Sequence, residues 1–277
     1  MIHIVVDSTA DLAPEVAQAA GITVVPIIIQ FGKETLLDTE ISHDDYYTRL
    51  IGASEIPRTA APAIGMFEQA FRELTANGDQ VLSLSVAAKL SATFTAAQQG
   101  AALAESADIR CIETGTTIAA FGDIALAAAQ AARGGAAMDE LAALVEQLRP
   151  KAVIYVGLDT LRYLEKGGRI GRMQAFLGGM LAVKPIMEVR AGEVHPVEQV
   201  RTSRRVPGRL VELVVQRGAY QTLNVLYTTG RETAGMLADQ LAAAGLMPRD
   251  QIGLVQAGPA LGTHVGPGAI GVGGLLR

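Results

Sequence analysis

Tryptophan is absent from this chain, and aromatic residues make up only 4% of its 277 positions. So few rings argue against the stacking platforms that hold single-stranded nucleic acid. Cys111 is the only cysteine, so neither an intramolecular disulfide nor a cysteine-based metal cluster can form. A lone thiol fits a reducing compartment, and the expected location is the cytoplasm. The start, Met1-Ile2-His3-Ile4, lacks the charged stretch and long apolar run of a signal peptide. Apolar runs are too short or too broken by glycine for a membrane span; the one from Gly178 to Val183 is closed by Lys184 and Pro185. The metal-ligand spacings HExxH, HxxEH and DxDxDG are missing, and so is the GxSxG elbow of hydrolases. No metal and no cofactor are expected.

What is present is aliphatic. Hydrophobic residues make up 49% and charged residues 18%, with a net charge of −5. A large core can be buried, and no basic patch is dense enough for a nucleic acid backbone. The length is generous for one core and comfortable for two domains. Up to about Pro150, apolar β-branched runs (Ile2–Val6, Ile22–Gln30, Gln80–Ser85, Ile109–Glu113) alternate with helical patterns (Leu12–Ala20, Ser42–Leu50, Met66–Thr75, Ser91–Ser106, Thr117–Arg133, Met138–Arg149). That alternation predicts a parallel sheet with helices on both faces. After Lys151 the pattern is mixed. A strand at Ala152–Val156 precedes a short helix at Leu158–Tyr163, and Lys184–Arg190 with Glu193–Val200 reads as a hairpin across Ala191-Gly192. Further strands at Thr222–Thr228, Ile252–Val255 and Ala269–Leu276 are separated by helices at Val206–Gln216 and Arg231–Ala244. The expected fold is α/β in two domains, 1–150 with the parallel sheet and 151–277 with a mixed sheet.

Ligands of open α/β sheets bind at the carboxyl ends of strands. In the first domain that rule selects the loops Asp7–Asp11, Pro57–Gly65 and Ser85–Phe94. Thr59 stands in the proline-bracketed stretch Pro57-Arg58-Thr59-Ala60-Ala61-Pro62, where its hydroxyl could meet a ligand, though for this stretch alone a turn hydroxyl bonding its own backbone is the favoured reading. Ser91 fits the N-cap of a helix, which alone accounts for a serine there. His264 lies in Leu261-Gly262-Thr263-His264-Val265-Gly266-Pro267-Gly268, read as a glycine-rich loop between two strands. It can donate or accept near neutral pH, or simply be a buried structural histidine. Arg169 sits in Glu165-Lys166-Gly167-Gly168-Arg169-Ile170-Gly171-Arg172, without P-loop spacing, and Arg201 follows a predicted strand.

In their order along the chain these pieces resemble the DegV family of bacterial fatty-acid-binding proteins. Asp7-Ser8-Thr9-Ala10-Asp11-Leu12 opens the match. Thr59, Pro62 and Phe67 match the family's Thr-Ser-Gln-Pro loop and its following aromatic residue, and Leu90-Ser91-Ala92-Thr93-Phe94 resembles its Leu-Ser-Gly-Thr-Tyr segment. Gly168-Arg169-Ile170, Lys184-Pro185-Ile186, Arg201-Thr202 and His264-Val265-Gly266-Pro267-Gly268-Ala269-Ile270-Gly271 complete it. The resemblance implies a long-chain fatty acid such as palmitate, stearate or oleate in an apolar tunnel. It places the carboxylate on Thr59, Ser91 and His264. It implies a separate ATP-dependent fatty acid kinase that makes the acyl phosphate, with Arg201 and Arg169 serving that encounter, and so a carrier rather than an enzyme, without stable membrane insertion. Ala60, Ala61 and Ala92 depart from the family's Ser, Gln and Gly, and Lys89 stands where small residues are usual.

The chemistry suits that role. Burying a methylene contributes about 0.8 kcal/mol, and a buried carboxylate must be hydrogen-bonded. Two readings compete with the carrier. One is an acyl-directed hydrolase or transferase with Ser91 as nucleophile and His264 as base, since catalytic triads are geometric rather than sequential. The other is a pure interaction module.

Overall fold

The computed structural model describes residues 1–105, 108–176 and 183–277. The predicted helix end at Ser106 and most of the apolar run from Gly178 lie outside them. The chain begins with β1 (Ile2–Asp7), α1 (Pro14–Ala20), β2 (Ile22–Val25), β3 (Ile28–Phe31), β4 (Glu34–Leu37), α2 (His43–Gly52), β5 (Arg58–Ala60) and α3 (Ile64–Thr75). It continues with β6 (Gln80–Ser85), α4 (Thr93–Ala104), β7 (Ile109–Glu113), α5 (Ile118–Arg133) and α6 (Met138–Leu148). Then come β8 (Ala152–Gly157), α7 (Arg162–Lys166), β9 (Lys184–Arg190), β10 (Glu193–Val200), α8 (Val206–Arg217) and β11 (Tyr220–Tyr227). The last elements are α9 (Arg231–Ala243), β12 (Ile252–Gln256), α10 (Pro259–Val265) and β13 (Ile270–Leu276).

Four strands in the order β2-β1-β6-β7 form a parallel sheet. Its faces follow the two-residue period of a strand. Ile4, Val6, Leu82 and Leu84 pack on Phe121, Ile124, Ala125 and Ala128 of α5 and on Leu141 and Val145 of α6. Val5 and Val81 pack on Phe67 and Phe71 of α3 and Ala96 and Ala97 of α4. Helices therefore cover both faces, as the alternation predicts. A six-stranded mixed sheet runs β10-β9-β8-β13-β11-β12, with β11 and β12 parallel and the other pairs antiparallel. The β9–β10 hairpin turns at Ala191 (φ 50°) and Gly192 (φ 75°), both left-handed, as a two-residue type I′ connection demands. No helix among the described residues is long and apolar enough to cross a membrane.

The predicted strand Ile22–Gln30 is two strands in two sheets. Pro26 has no N–H to give, which interrupts the ladder. Ile27 N–H donates to Ser8 Oγ at 2.9 Å and Asp38 Oδ1 at 3.0 Å. The chain then enters a small antiparallel sheet, β4-β3-β5, that the sequence pattern did not announce. The short helix expected at Leu158–Tyr163 forms later, as α7. The glycine-rich stretch carrying His264 is mostly helix: α10 has Pro259 in its first turn and ends at Val265, and Gly266 (φ 75°) turns the chain out. The helix forms because Pro259 suits a first turn and because it docks on α2. Thr263 Oγ1 donates to Pro259 O at 2.8 Å, so Tyr46 Oη donates to Thr263 Oγ1 at 2.7 Å. Tyr47 Oη donates to Ala257 O at 2.6 Å.

Gly262 is the point of closest approach. A methyl group there would lie 2.5 Å from Tyr47 Oη and 3.0 Å from Tyr46 Cε1. Gly262→Ala is expected to destabilise the protein by about 1–3 kcal/mol through overpacking, despite alanine's better helix propensity. Urea unfolding checks this, and an unchanged or raised midpoint would refute the packing argument.

Candidate functional site

The parallel sheet ends in loops braced by buried carboxylates. Asp7, fully buried at the end of β1, accepts from Thr9 N at 3.1 Å, Thr9 Oγ1 at 2.5 Å and Val86 N at 2.8 Å. It thereby ties the β1 and β6 exits together. Asp38 accepts from Ser8 Oγ at 2.6 Å as well as from Ile27 N. Burial pushes both carboxyls up to about 6 against the pull of their hydrogen bonds.

Beside these loops lies a cavity of about 220 Å³. All three loops selected from the sequence reach it, through Thr9, through Thr59, Ala60 and Ala61, and through Val86 and Leu90–Ala92. Leu164, Met187, Val189, Val194, Leu261 and Val265 supply apolar walls from the mixed-sheet half. A smaller apolar cavity of about 50 Å³, floored by Ile118, Ile154, Leu226 and Ile270, shares Thr117, Met187, Val189, Leu261 and Val265 with it. Ile118 holds φ at 46°, a left-handed conformation unusual for a β-branched residue. It starts α5 at this wall, where such strain is kept only because packing on all sides imposes it.

Thr59, Ser91, His264 and Arg169 all line the cavity. Thr59 stands on β5 rather than in a loop, because Arg58–Ala60 pair with β3. Its Oγ1 is 2.9 Å from His264 Nε2. Ser91 is not the N-cap: α4 starts at Thr93 with Ala92 in the cap position, and Ser91 Oγ accepts from Thr93 N at 3.3 Å while bonding Thr93 Oγ1 at 2.8 Å. The family's glycine position, here Ala92, keeps an ordinary right-handed φ of −76°. Arg169 donates from Nε to Leu90 O at 3.0 Å and from Nη1 to Gly167 O at 2.7 Å, which aligns its guanidinium at the rim. Arg201 is exposed after β10 and is not a lining residue of the cavity. Thr9 and Thr117 were not singled out from the sequence. Thr9 was legible only as a member of the first loop, and nothing local marks Thr117.

The rim opens into a wider cleft of about 620 Å³ that shares Leu90, Ser91, Ala92, Arg169 and Val194 with the cavity. Lys89, one of the departures noted in the sequence, pairs there with Glu193 at 3.0 Å, and Arg172 approaches the same carboxylate at 3.5 Å. A larger cleft of about 780 Å³ lies on the other side of the β1 exit loop, lined by Asp7, Asp11, Asp38 and Asp123. Those acids are engaged in structure, Asp11 with Gly258 N at 3.1 Å and Asp123 with Thr222 Oγ1 at 2.6 Å and Asn224 Nδ2 at 3.1 Å. Among the described residues no group of three or more histidine, cysteine or acidic side chains is placed to hold a metal.

Burial, reinforced by the positive charge of Arg169, pushes His264 down to about 4 from an ordinary 6.5. The fold thus favours the neutral ring. That stabilisation is fully present above pH 6.5 and is lost as pH falls through the window from 6.5 to 4. Asp7 and Asp38 act oppositely, their contribution fading as pH rises from 3.8 to about 6. Comparison with His264→Gln isolates the histidine. Between pH 6.5 and 4 the wild type is expected to lose roughly 2–3 kcal/mol relative to the variant in denaturant unfolding. A difference that does not vary with pH would contradict the buried neutral ring.

Comparisons with known proteins concur over the whole chain. The model of the family described as "Uncharacterised protein, DegV family" matches residues 1–276. A DegV domain-containing protein of Streptomyces coelicolor is 35% identical, the match covering 98% of this chain and 97% of that protein. Among solved structures, a DegV family protein from Thermus thermophilus, described for its fatty acid binding, superposes with a TM-score of 0.92 at 26% identity, covering 100% of this chain and 99% of the other. DegV of Bacillus subtilis, a fatty acid binding protein, does so with a TM-score of 0.87 at 26% identity over the same shares. The chain belongs to the DegV family.

Proposed function

We propose that this protein binds one long-chain fatty acid, such as palmitate, stearate or oleate, and presents its carboxylate to a separate ATP-dependent fatty acid kinase. One observation carries the reading. Thr59, Ser91, Arg169 and His264 line one cavity whose other walls are mostly aliphatic, although they are scattered over more than two hundred positions of chain. Thr59 and Ser91 offer hydroxyl donors, and the neutral His264 orients Thr59 from behind. Arg169 supplies the compensating charge at the rim, and the aliphatic walls take the chain. The fatty-acid-binding relatives support the same ligand class. Residues 1–150 and 151–277 then act as two domains that clasp the acid between them, each contributing part of the wall.

The carrier role needs neither metal nor cofactor, and ATP chemistry belongs to the partner. Arg201, exposed and apart from the cavity, serves the kinase encounter in this reading, with Arg169 at the rim. A reducing cytoplasm is the fitting compartment for both. The competing hydrolase reading has less support. Ser91 Oγ is bonded to Thr93 and His264 Nε2 to Thr59, and among the described residues His264 Nδ1 has no partner and no carboxylate orients the ring as a base.

Extraction of denatured, purified protein followed by mass spectrometry is expected to yield one long-chain fatty acid per chain. No acid on extraction, together with no uptake of palmitate or oleate, would overturn the ligand assignment. Ser91→Ala or Thr59→Val is expected to weaken palmitate binding by about 1–3 kcal/mol, the cost of a carboxylate losing a buried donor. Arg201→Ala is expected to keep its lipid while acyl-phosphate formation with the cognate kinase falls sharply. Loss of the lipid with phosphorylation per bound acyl group unchanged would reverse that assignment.

A further inference from the structure

Gly167 ends α7 with φ −77° and ψ −7°, a right-handed conformation open to any residue. Its neighbour Gly168, at φ 70°, is the one whose backbone calls for glycine. The reason for glycine at 167 is therefore space. A methyl group placed on it would overlap His264 Nδ1 and lie 2.8 Å from Cε1 of the same ring. Gly167 also has little freedom to retreat. Its N–H donates to Tyr163 O at 2.9 Å, and its carbonyl accepts from Arg169 Nη1 at 2.7 Å.

The ring edge resting on Gly167 carries a nitrogen that is buried and, among the described residues, without a hydrogen-bond partner. The other nitrogen, Nε2, lies 2.9 Å from Thr59 Oγ1. A neutral imidazole has one proton to place. On Nδ1 it would be a buried donor facing an aliphatic carbon, and an orphaned donor is rarer and costlier than an orphaned lone pair. On Nε2 it is used. We propose that Gly167 is a positioning residue for His264, leaving the room in which an unprotonated Nδ1 rests, so that Nε2–H donates to Thr59 and the Thr59 hydroxyl keeps its own proton for the ligand.

The polarity matters because a carboxylate only accepts. If Nε2 were the acceptor, Thr59 would spend its proton on the ring and turn lone pairs towards the ligand. With Nε2 as donor, Thr59 becomes a donor aimed at the cavity. The proposal rests on the fatty-acid reading for its ligand, but the tautomer belongs to the protein alone.

Two measurements on the full chain test it. Nitrogen-15 NMR of ligand-free protein with labelled histidine reports which ring nitrogen of His264 carries the proton, and the Nε2-protonated pattern is expected. A Nδ1-protonated pattern would overturn the proposal. Palmitate affinity is then measured for Gly167→Ala alone and in a His264→Ala background. Alone, the substitution is expected to weaken binding about tenfold or more, the size of a lost hydrogen bond to a charged group. Without the ring to displace, it is expected to change affinity less than about twofold, since coupled neighbours are not additive. Equal losses in both backgrounds would make Gly167 a matter of backbone and refute the positioning role. If the unaltered chain binds no palmitate at all, the ligand reading fails, while the NMR spectrum still decides the tautomer. The same spectrum decides should Gly167→Ala fail to fold.

Discussion

The structure is organised around the burial of α5 between two sheets. Phe121, Ile124, Ala125 and Ala128 belong to the core against the parallel sheet, while Ile118, Ala119 and Ala120 belong to the core against β8, β9 and β11. A helix apolar on one stripe could not do this; it would leave its polar face in a dry interior. Alanine is what makes the double burial feasible, because small side chains let both sheets come close without voids. At Gly122 even a methyl group would lie 2.9 Å from Ala10 O. Asp123 is the polar residue on the packed part of this helix, and it accepts two hydrogen bonds from β11. The two halves of the chain are thereby held in one register, and the start of α5 becomes the wall at which the apolar cavities meet.

Buried polar groups do the remaining work of placement. The carboxyl ends of parallel strands leave loops with backbone donors to satisfy, and here Asp7 and Asp38 satisfy them. Their acceptors are used on Thr9, Val86, Ser8 and Ile27, so these acids are scaffolding rather than chemistry. Their cost is burial, which raises both carboxyls towards 6. The return is a rigid rim against which β5 presents Thr59. From the opposite side the α2 tyrosines hold α10, and α10 carries His264 to Thr59. A hydrogen bond between residues 205 positions apart is thus the product of two independent docking events.

Much of the architecture was legible because hydrophobic periodicity is a local property. The strands β1, β6 and β7, the helices α3, α5 and α6, and the β9–β10 hairpin follow from alternation, from helical spacing and from Ala191-Gly192. The errors share one cause. Pro26 reads as a flaw in one strand but is a crossing between two sheets, and that depends on Ser8 and Asp38 being there to receive Ile27 N–H. Glycines at 262, 266 and 268 read as a loop, yet Gly262 lies within α10 and is glycine because Tyr46 and Tyr47 leave no room for a side chain. Ser91 reads as a cap, but the helix begins two residues later.

The amino-acid sequence by itself determined the fold class and the set of residue types available to a ligand, because these depend on period, composition and the order of short motifs. It also selected the exit loops of β1 and β6, since that rule needs only the order of strands, whereas the third segment, Pro57–Gly65, holds strand β5. Tertiary structure alone decided which of those residues meet. Thr59 and His264 are brought together and Arg169 joins them at the rim, while Arg201 stays outside. It decided too that the imidazole is held neutral, because desolvation and the nearness of Arg169 exist only once the chain has closed around the ring. Distances, burial and excluded volume are properties of neighbours in space, and neighbours in space are what a linear sequence does not state.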